Sequence, residues 1–122
     1  MKLTITDRDL LFKPLQTVSG IVERRHTLPI LSNTLIEIRN GQLTLVTTDL
    51  EIEAEATSNI PELENQGALQ TTVSVRKLQD ILRALPSGAA IELTRSENRL
   101  QIVSGKSRFS LQTLPADDFP RM

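Results

Sequence analysis

Apolar and polar residues alternate over Lys2-Leu3-Thr4-Ile5-Thr6, a period of two that predicts a short strand. The period then lengthens. Leu10, Leu11, Pro14, Leu15 and Val18 recur at helical spacing, so a helix is predicted with one apolar face. Thr6 is its expected N-cap, followed by Asp7 and Asp9, acids that suit the positive end of the helix dipole. Pro14 opposes this assignment, because an interior proline removes a backbone hydrogen bond and costs about 3 kcal/mol. The periodicity continues past it, so a bend is expected at Pro14 and a stop at Gly20. Leu28-Pro29-Ile30-Leu31 reads as extended, and Thr34 to Arg39 as a strand. Asn40-Gly41 is a hairpin signal, since a type I′ turn needs positive φ at both central residues. Gln42 to Thr48 then returns antiparallel. Leu50 to Thr57 alternates, with Glu51, Glu53 and Glu55 on one side and Ile52, Ala54 and Ala56 on the other.

Ser58 to Gly67 is polar, contains Pro61 and reads as a linker. After it the same order returns. Leu69 to Val73 is a predicted strand, Ser74 a cap, and Val75 to Leu85 a helix with Val75, Leu78, Ile81, Leu82 and Leu85 inward. Three strands follow: Ala90 to Arg95, Arg99 to Ser104 and Ser107 to Thr113. Each half, about residues 1–57 and 68–114, therefore runs strand, helix, three strands. The expected class is α+β, a duplicated unit whose two helices pack on antiparallel sheet. Leu114 to Pro120 reads as an exit linker without regular structure.

Composition narrows the chemistry. The chain has 122 residues, enough for one domain, and its aromatics are Phe12, Phe109 and Phe119 alone, which argues against base-stacking recognition of single strands. There is no cysteine and one histidine, His26, so disulfides, thiol catalysis and multi-histidine metal sites are excluded. No run is apolar enough to span a bilayer and no signal-peptide pattern opens the chain; a cytosolic protein without a membrane partner is expected. The net charge of −1 hides opposed patches: six acids and no Lys or Arg between Asp49 and Glu64, against basic groups at Arg24-Arg25, Arg76-Lys77, Arg83 and Arg95 to Arg108.

Three constellations invite a functional reading. Lys13 and Gln16 lie opposite the apolar stripe of the first helix, as Arg76, Asp80 and Arg83 do on the second; side by side they form a net basic surface suited to phosphates. An ordinary solvated helix face has the same pattern. Arg24-Arg25, in a loop, suits phosphate clamping or plain solvation. Asp49 with Glu51 permits a metal-dependent phosphoesterase, although no DxDxDG, HExxH, GxSxG or GxxxxGK[ST] motif is present. A protein-interaction module without DNA contact stands as a third reading.

A family resemblance adds to this. It rests on Lys13-Pro14-Leu15 with Val18-Ser19-Gly20, Thr27-Leu28-Pro29-Ile30-Leu31, Thr48-Asp49-Leu50-Glu51, Arg76-Lys77 and Leu85-Pro86-Ser87-Gly88. It continues through Ser104-Gly105-Lys106-Ser107-Arg108-Phe109-Ser110-Leu111 and Thr113-Leu114-Pro115-Ala116-Asp117-Asp118-Phe119-Pro120. In this order and spacing, the chain resembles the first domain of the bacterial DNA polymerase III β subunits, the sliding clamps. The resemblance implies a DNA-clamp fold, with residues 1–122 as the first of three similar domains and the later ones absent. It implies a non-catalytic, cofactor-free processivity factor: a head-to-tail homodimeric ring, helices inside, that holds duplex DNA without sequence preference. By the same resemblance Arg25 touches DNA, with Lys13, Arg76 and Arg83 near the inner surface, and Arg24 beside Arg25 is expected to share the phosphate contact. Lys77, Ile81, Leu85, Arg99, Lys106, Arg108, Phe109 and Leu111 form the subunit contact, although Phe109 and Leu111 also suit core packing. DNA polymerase III and the clamp loader are expected to bind through the later domains.

Overall fold

The alternating segment at the amino terminus forms strand β1 (Lys2–Ile5), with Leu3 and Ile5 buried. Helix α1 (Asp9–Ser19) follows and buries Leu11, Phe12, Pro14, Leu15 and Val18. Its cap differs from expectation. The Asp9 amide donates to Asp7 Oδ1 at 2.9 Å, whereas the Thr6 hydroxyl donates to Glu62 Oε1 at 2.8 Å. Asp closes this turn because its carboxylate reaches the amide two residues on and also faces the positive helix end. The helix runs through Pro14, which is itself part of the buried stripe. In this computed structural model, residues 2–22 and 28–121 are described.

Pro29–Ser32 is a 3₁₀ turn, not an extended segment; Pro29 occupies an early helical position, where the missing N–H is no loss. Strands β2 (Asn33–Arg39) and β3 (Gln42–Thr48) flank the expected hairpin turn, with φ of 51° at Asn40 and 77° at Gly41. Strand β4 (Glu53–Asn59) begins later than its alternation indicated. Residues 49–52 are held in a turn instead, because Asp49 Oδ1 accepts from the Glu51 and Ile52 amides at 2.9 and 2.7 Å. Glu51 consequently leaves the strand, while Glu53 and Glu55 remain on one face of it. The polar stretch after β4 is not a loose linker either. It contains a 3₁₀ turn, Pro61–Leu63, and buries Ile60 and Leu63 in the main core.

The second half gives β5 (Leu69–Ser74), α2 (Val75–Ala84), β6 (Ile91–Ser96), β7 (Arg99–Ser104) and β8 (Ser107–Gln112). The Ser74 hydroxyl oxygen accepts from the Lys77 amide at 3.3 Å, the cap the sequence indicated. Two antiparallel four-stranded sheets result, ordered β1-β6-β7-β8 and β4-β3-β2-β5. The halves thus exchange their first strands: β1 pairs with β6, and β5 with β2. Both helices, packed on each other, and the inner faces of both sheets contribute to one core.

The tail after β8 also departs from the linker expected. The Leu114 amide donates to the Thr72 carbonyl and the Thr72 hydroxyl donates to the Leu114 carbonyl, Ala116–Asp118 forms a 3₁₀ turn, and Phe119 is buried with Leu35 and Val46 in a second, smaller cluster. That cluster lies on the outward face of β2 and β3, as the registers show. Beyond it, Arg121 bridges Glu37, Glu53 and Glu55 at 3.4, 3.1 and 3.4 Å.

Candidate nucleic-acid interface

The helix stripes that fill the core leave the opposite faces in water. Lys13, Gln16 and Thr17 are exposed on α1, and Arg76, Lys77, Asp80 and Arg83 on α2. Because the helices pack together, these residues share one side of the molecule. A groove of about 490 Å³ lies between the end of α1 and the first two turns of α2, lined by Ser19, Ser32, Ser74, Arg76, Gln79 and Arg83 among others. Arg83 pairs with Asp80 at 3.5 Å, with both side chains more than 60% exposed; such a contact is worth about 0–1 kcal/mol and yields readily to another anion. The helical surface is therefore polar and modestly basic. Arg24 and Arg25 lie outside the described residues.

The residues expected at a subunit contact gather at one edge. Strand β8 is an outer strand of its sheet, and α2 packs against it. Pairing with β7 sets Phe109 opposite Ile102 and Leu111 opposite Leu100, so these side chains share the core face. Arg108 and Arg99 are exposed at alternate register positions, on the other face, and Lys106 is exposed in the β7–β8 turn. Lys77 is exposed, whereas Leu85 and Leu111 are 6% and 5% exposed and belong to the core. Ile81 and Phe109 are only partly covered. The edge therefore has an incompletely buried apolar centre with cations around it.

Sequence reasoning missed two features. Arg8 joins the helix ends: Nη1 donates to the Leu82 carbonyl at 2.8 Å, and Nη2 pairs with Asp9 at 2.9 Å. No periodic signal marks it, since its partner is supplied by the other half. The second is the Arg121 cluster: Glu53 and Glu55 are visible as one side of an alternating strand, but nothing in the sequence links them to Glu37 or Arg121. Asp49, a candidate metal ligand with Glu51, accepts hydrogen bonds from the Glu51 and Ile52 amides. Among the described residues no group of three or more acidic, histidine or cysteine side chains is placed to hold a metal ion.

Residues 1–122 match the family described as DNA polymerase III beta subunit, N-terminal domain. The chain belongs to that family. It is similar to the beta sliding clamp of Pseudomonas putida, 48% identical over 120 residues that cover 98% of this chain and 32% of the relative. The beta sliding clamp of Escherichia coli K12 is 48% identical over 122 residues, covering 100% and 32%. Among solved structures, the Caulobacter crescentus DNA polymerase sliding clamp aligns with a TM-score of 0.91 at 42% identity, over 100% of this chain and 32% of that one. The DNA polymerase III subunit beta of Pseudomonas aeruginosa gives 0.90 at 43%, with the same coverage. The α+β architecture is thus that of the sliding-clamp family, and the chain spans about a third of its curated relatives' length, 32%.

Proposed function

We propose that this chain is the amino-terminal domain of a sliding clamp, a head-to-tail homodimeric ring that encircles duplex DNA and tethers the replicative polymerase. The observation that carries this reading is similarity to sliding clamps along the whole chain, at 48% identity to curated relatives and a TM-score of up to 0.91. Residues 1–122 are one ring domain in this reading, and the later domains complete the ring and receive polymerase and clamp loader.

The physical role is topological and cytoplasmic. Closure prevents dissociation, so contacts with phosphate need only be weak and sequence-independent. Arg24, Arg25, Lys13, Arg76 and Arg83 supply them. Processivity follows from the high local concentration of a tethered polymerase, and the clamp itself catalyses nothing. Lys77, Ile81, Leu85, Arg99, Lys106, Arg108, Phe109 and Leu111 supply one side of the subunit contact; an apolar centre with charged surroundings is ordinary interface anatomy. No helix among the described residues is long and apolar enough to cross a membrane. The test is retention on circular versus linearised DNA by a full-length protein carrying this domain. A ring stays on the circle and slides off the linear form; equal retention on both rejects topological linkage.

A further inference from the structure

A guanidinium is an unfavourable group for the place Arg8 occupies. Its side chain is only 12% exposed and its Nε is buried without a hydrogen-bond partner among the described residues, an arrangement that its cation–π contact with the Phe12 ring, 4.7 Å from Cζ to the centroid, offsets only in part. Buried ion pairs are often no more stabilising than well-packed apolar side chains, and an unsatisfied buried donor adds a penalty. Burial alone therefore does not single out an arginine here, since an apolar side chain of similar volume could serve as well. The planar fork of arginine does supply fixed geometry.

That geometry is specific. Arg8 Nη1 holds the Leu82 carbonyl at 2.8 Å and Nη2 holds Asp9 Oδ1 at 2.9 Å. Asp9 Oδ2 accepts from the Ser87 hydroxyl at 2.9 Å, and the Arg8 amide donates to the Ala89 carbonyl at 2.7 Å. Two residues at the start of α1 thus fix the last turn of α2 and the turn beyond it. No glycine closes α2; Leu85 is extended and its amide returns to the Leu82 carbonyl at 3.2 Å. The Leu82 oxygen is accordingly the anchor of the helix end, and a cation there meets the negative pole of the dipole. Lys77 and Ile81 lie one turn apart on α2, which packs against β8, and Leu85 follows directly after the helix end.

We infer that Arg8 is a positioning residue for the subunit contact: it holds the end of α2, the helix that packs against β8, and with it the shape of the partly covered apolar patch of Ile81 and Phe109 above the buried Leu85. This rests on the ring reading above. Arg8→Gln in a full-length ring carrying this domain is expected to raise the dimer dissociation constant about tenfold by sedimentation equilibrium. Arg8→Lys, which keeps charge but not the fork, and Ser87→Ala, which releases Asp9, should give smaller rises; they carry the test if Arg8→Gln does not fold. Val46→Ala, in the cluster on the outward sheet face, is the control that lowers the melting temperature and leaves dimerisation unchanged. A ring in which the Arg8 and Ser87 variants lose melting temperature yet dimerise like the Val46 control overturns the proposal, leaving Arg8 a structural residue only. Phe109→Asp separates the two levels: if it too leaves the dimer intact, the contact itself is misplaced and both readings fall.

Discussion

Leu50 sits at φ 81°, a conformation L side chains reach only against steric resistance, and its side chain is 52% exposed. The turn holds it there because the Thr48 hydroxyl oxygen accepts from the Leu50 amide at 3.1 Å and Asp49 fixes the two amides that follow. Left-handed backbone costs a typical L residue roughly 1–2 kcal/mol, and Asn tolerates it better. Leu50→Asn is therefore expected to raise the melting temperature by a few degrees in a thermal scan. A lowered value would show that the exposed leucine side chain contributes more than its backbone strain removes. Gly41 is the opposite case. It has φ 77°, and an added Cβ would meet the Ile60 carbonyl oxygen at 3.4 Å, an ordinary contact, so the backbone conformation carries the cost. Gly41→Ala should cost about 1 kcal/mol or more in urea unfolding, since alanine cannot use positive φ freely. An unchanged midpoint would mean that the hairpin tip relaxes without cost.

The exposed charged side chains of α1 and α2 can be altered without touching the core. Arg24→Ala with Arg25→Ala, in a full-length protein carrying this domain, is expected to reduce loading onto primed DNA most strongly at moderate salt, where phosphate contacts are already weakened. Arg76→Ala with Arg83→Ala should act in the same direction, with stability changed by about 0.5 kcal/mol or less, because both side chains are exposed. Normal loading at every salt concentration would reassign these faces to ordinary solvation. What the sequence disclosed at this scale was local. The Asn40-Gly41 turn, the Ser74 cap and the bounds of β3 and β7 depend on residues a few positions apart, and they stand as read. The family resemblance was equally legible, because it lay in ordered short motifs. The failures share a cause. Ile60, Leu63 and Phe119 are single apolar residues in polar surroundings, and only distant partners reveal that they are buried. Arg8 escaped notice for the same reason: its acceptor, Leu82, belongs to the other half of the chain.

At the scale of the molecule, the proposed contact is heterologous, so two copies of this chain cannot satisfy each other through one patch. Light scattering after size exclusion is expected to find a monomer, and fluorescence anisotropy only weak, sequence-independent DNA binding; a tight dimer insensitive to Phe109→Asp would place the contact elsewhere. The exchange of β1 and β5 between the sheets has its own test. Residues 1–64 and 65–122, made separately, should each lack cooperative unfolding, and a mixture should recover it. A cooperative transition in either piece alone would mean that the exchange is dispensable. The same exchange orders events in time. As the chain is synthesised, the sheet β4-β3-β2-β5 can close once Ser74 has appeared, but Leu3 and Ile5 have no strand to cover them until Ile91 to Thr94 are made. Strand β1 is thus made before β2 to β5 yet seated after them, and joining such distant segments is slow compared with local pairing. During that wait β1 is an uncovered apolar strand, open to capture by a chaperone or by a neighbouring nascent chain.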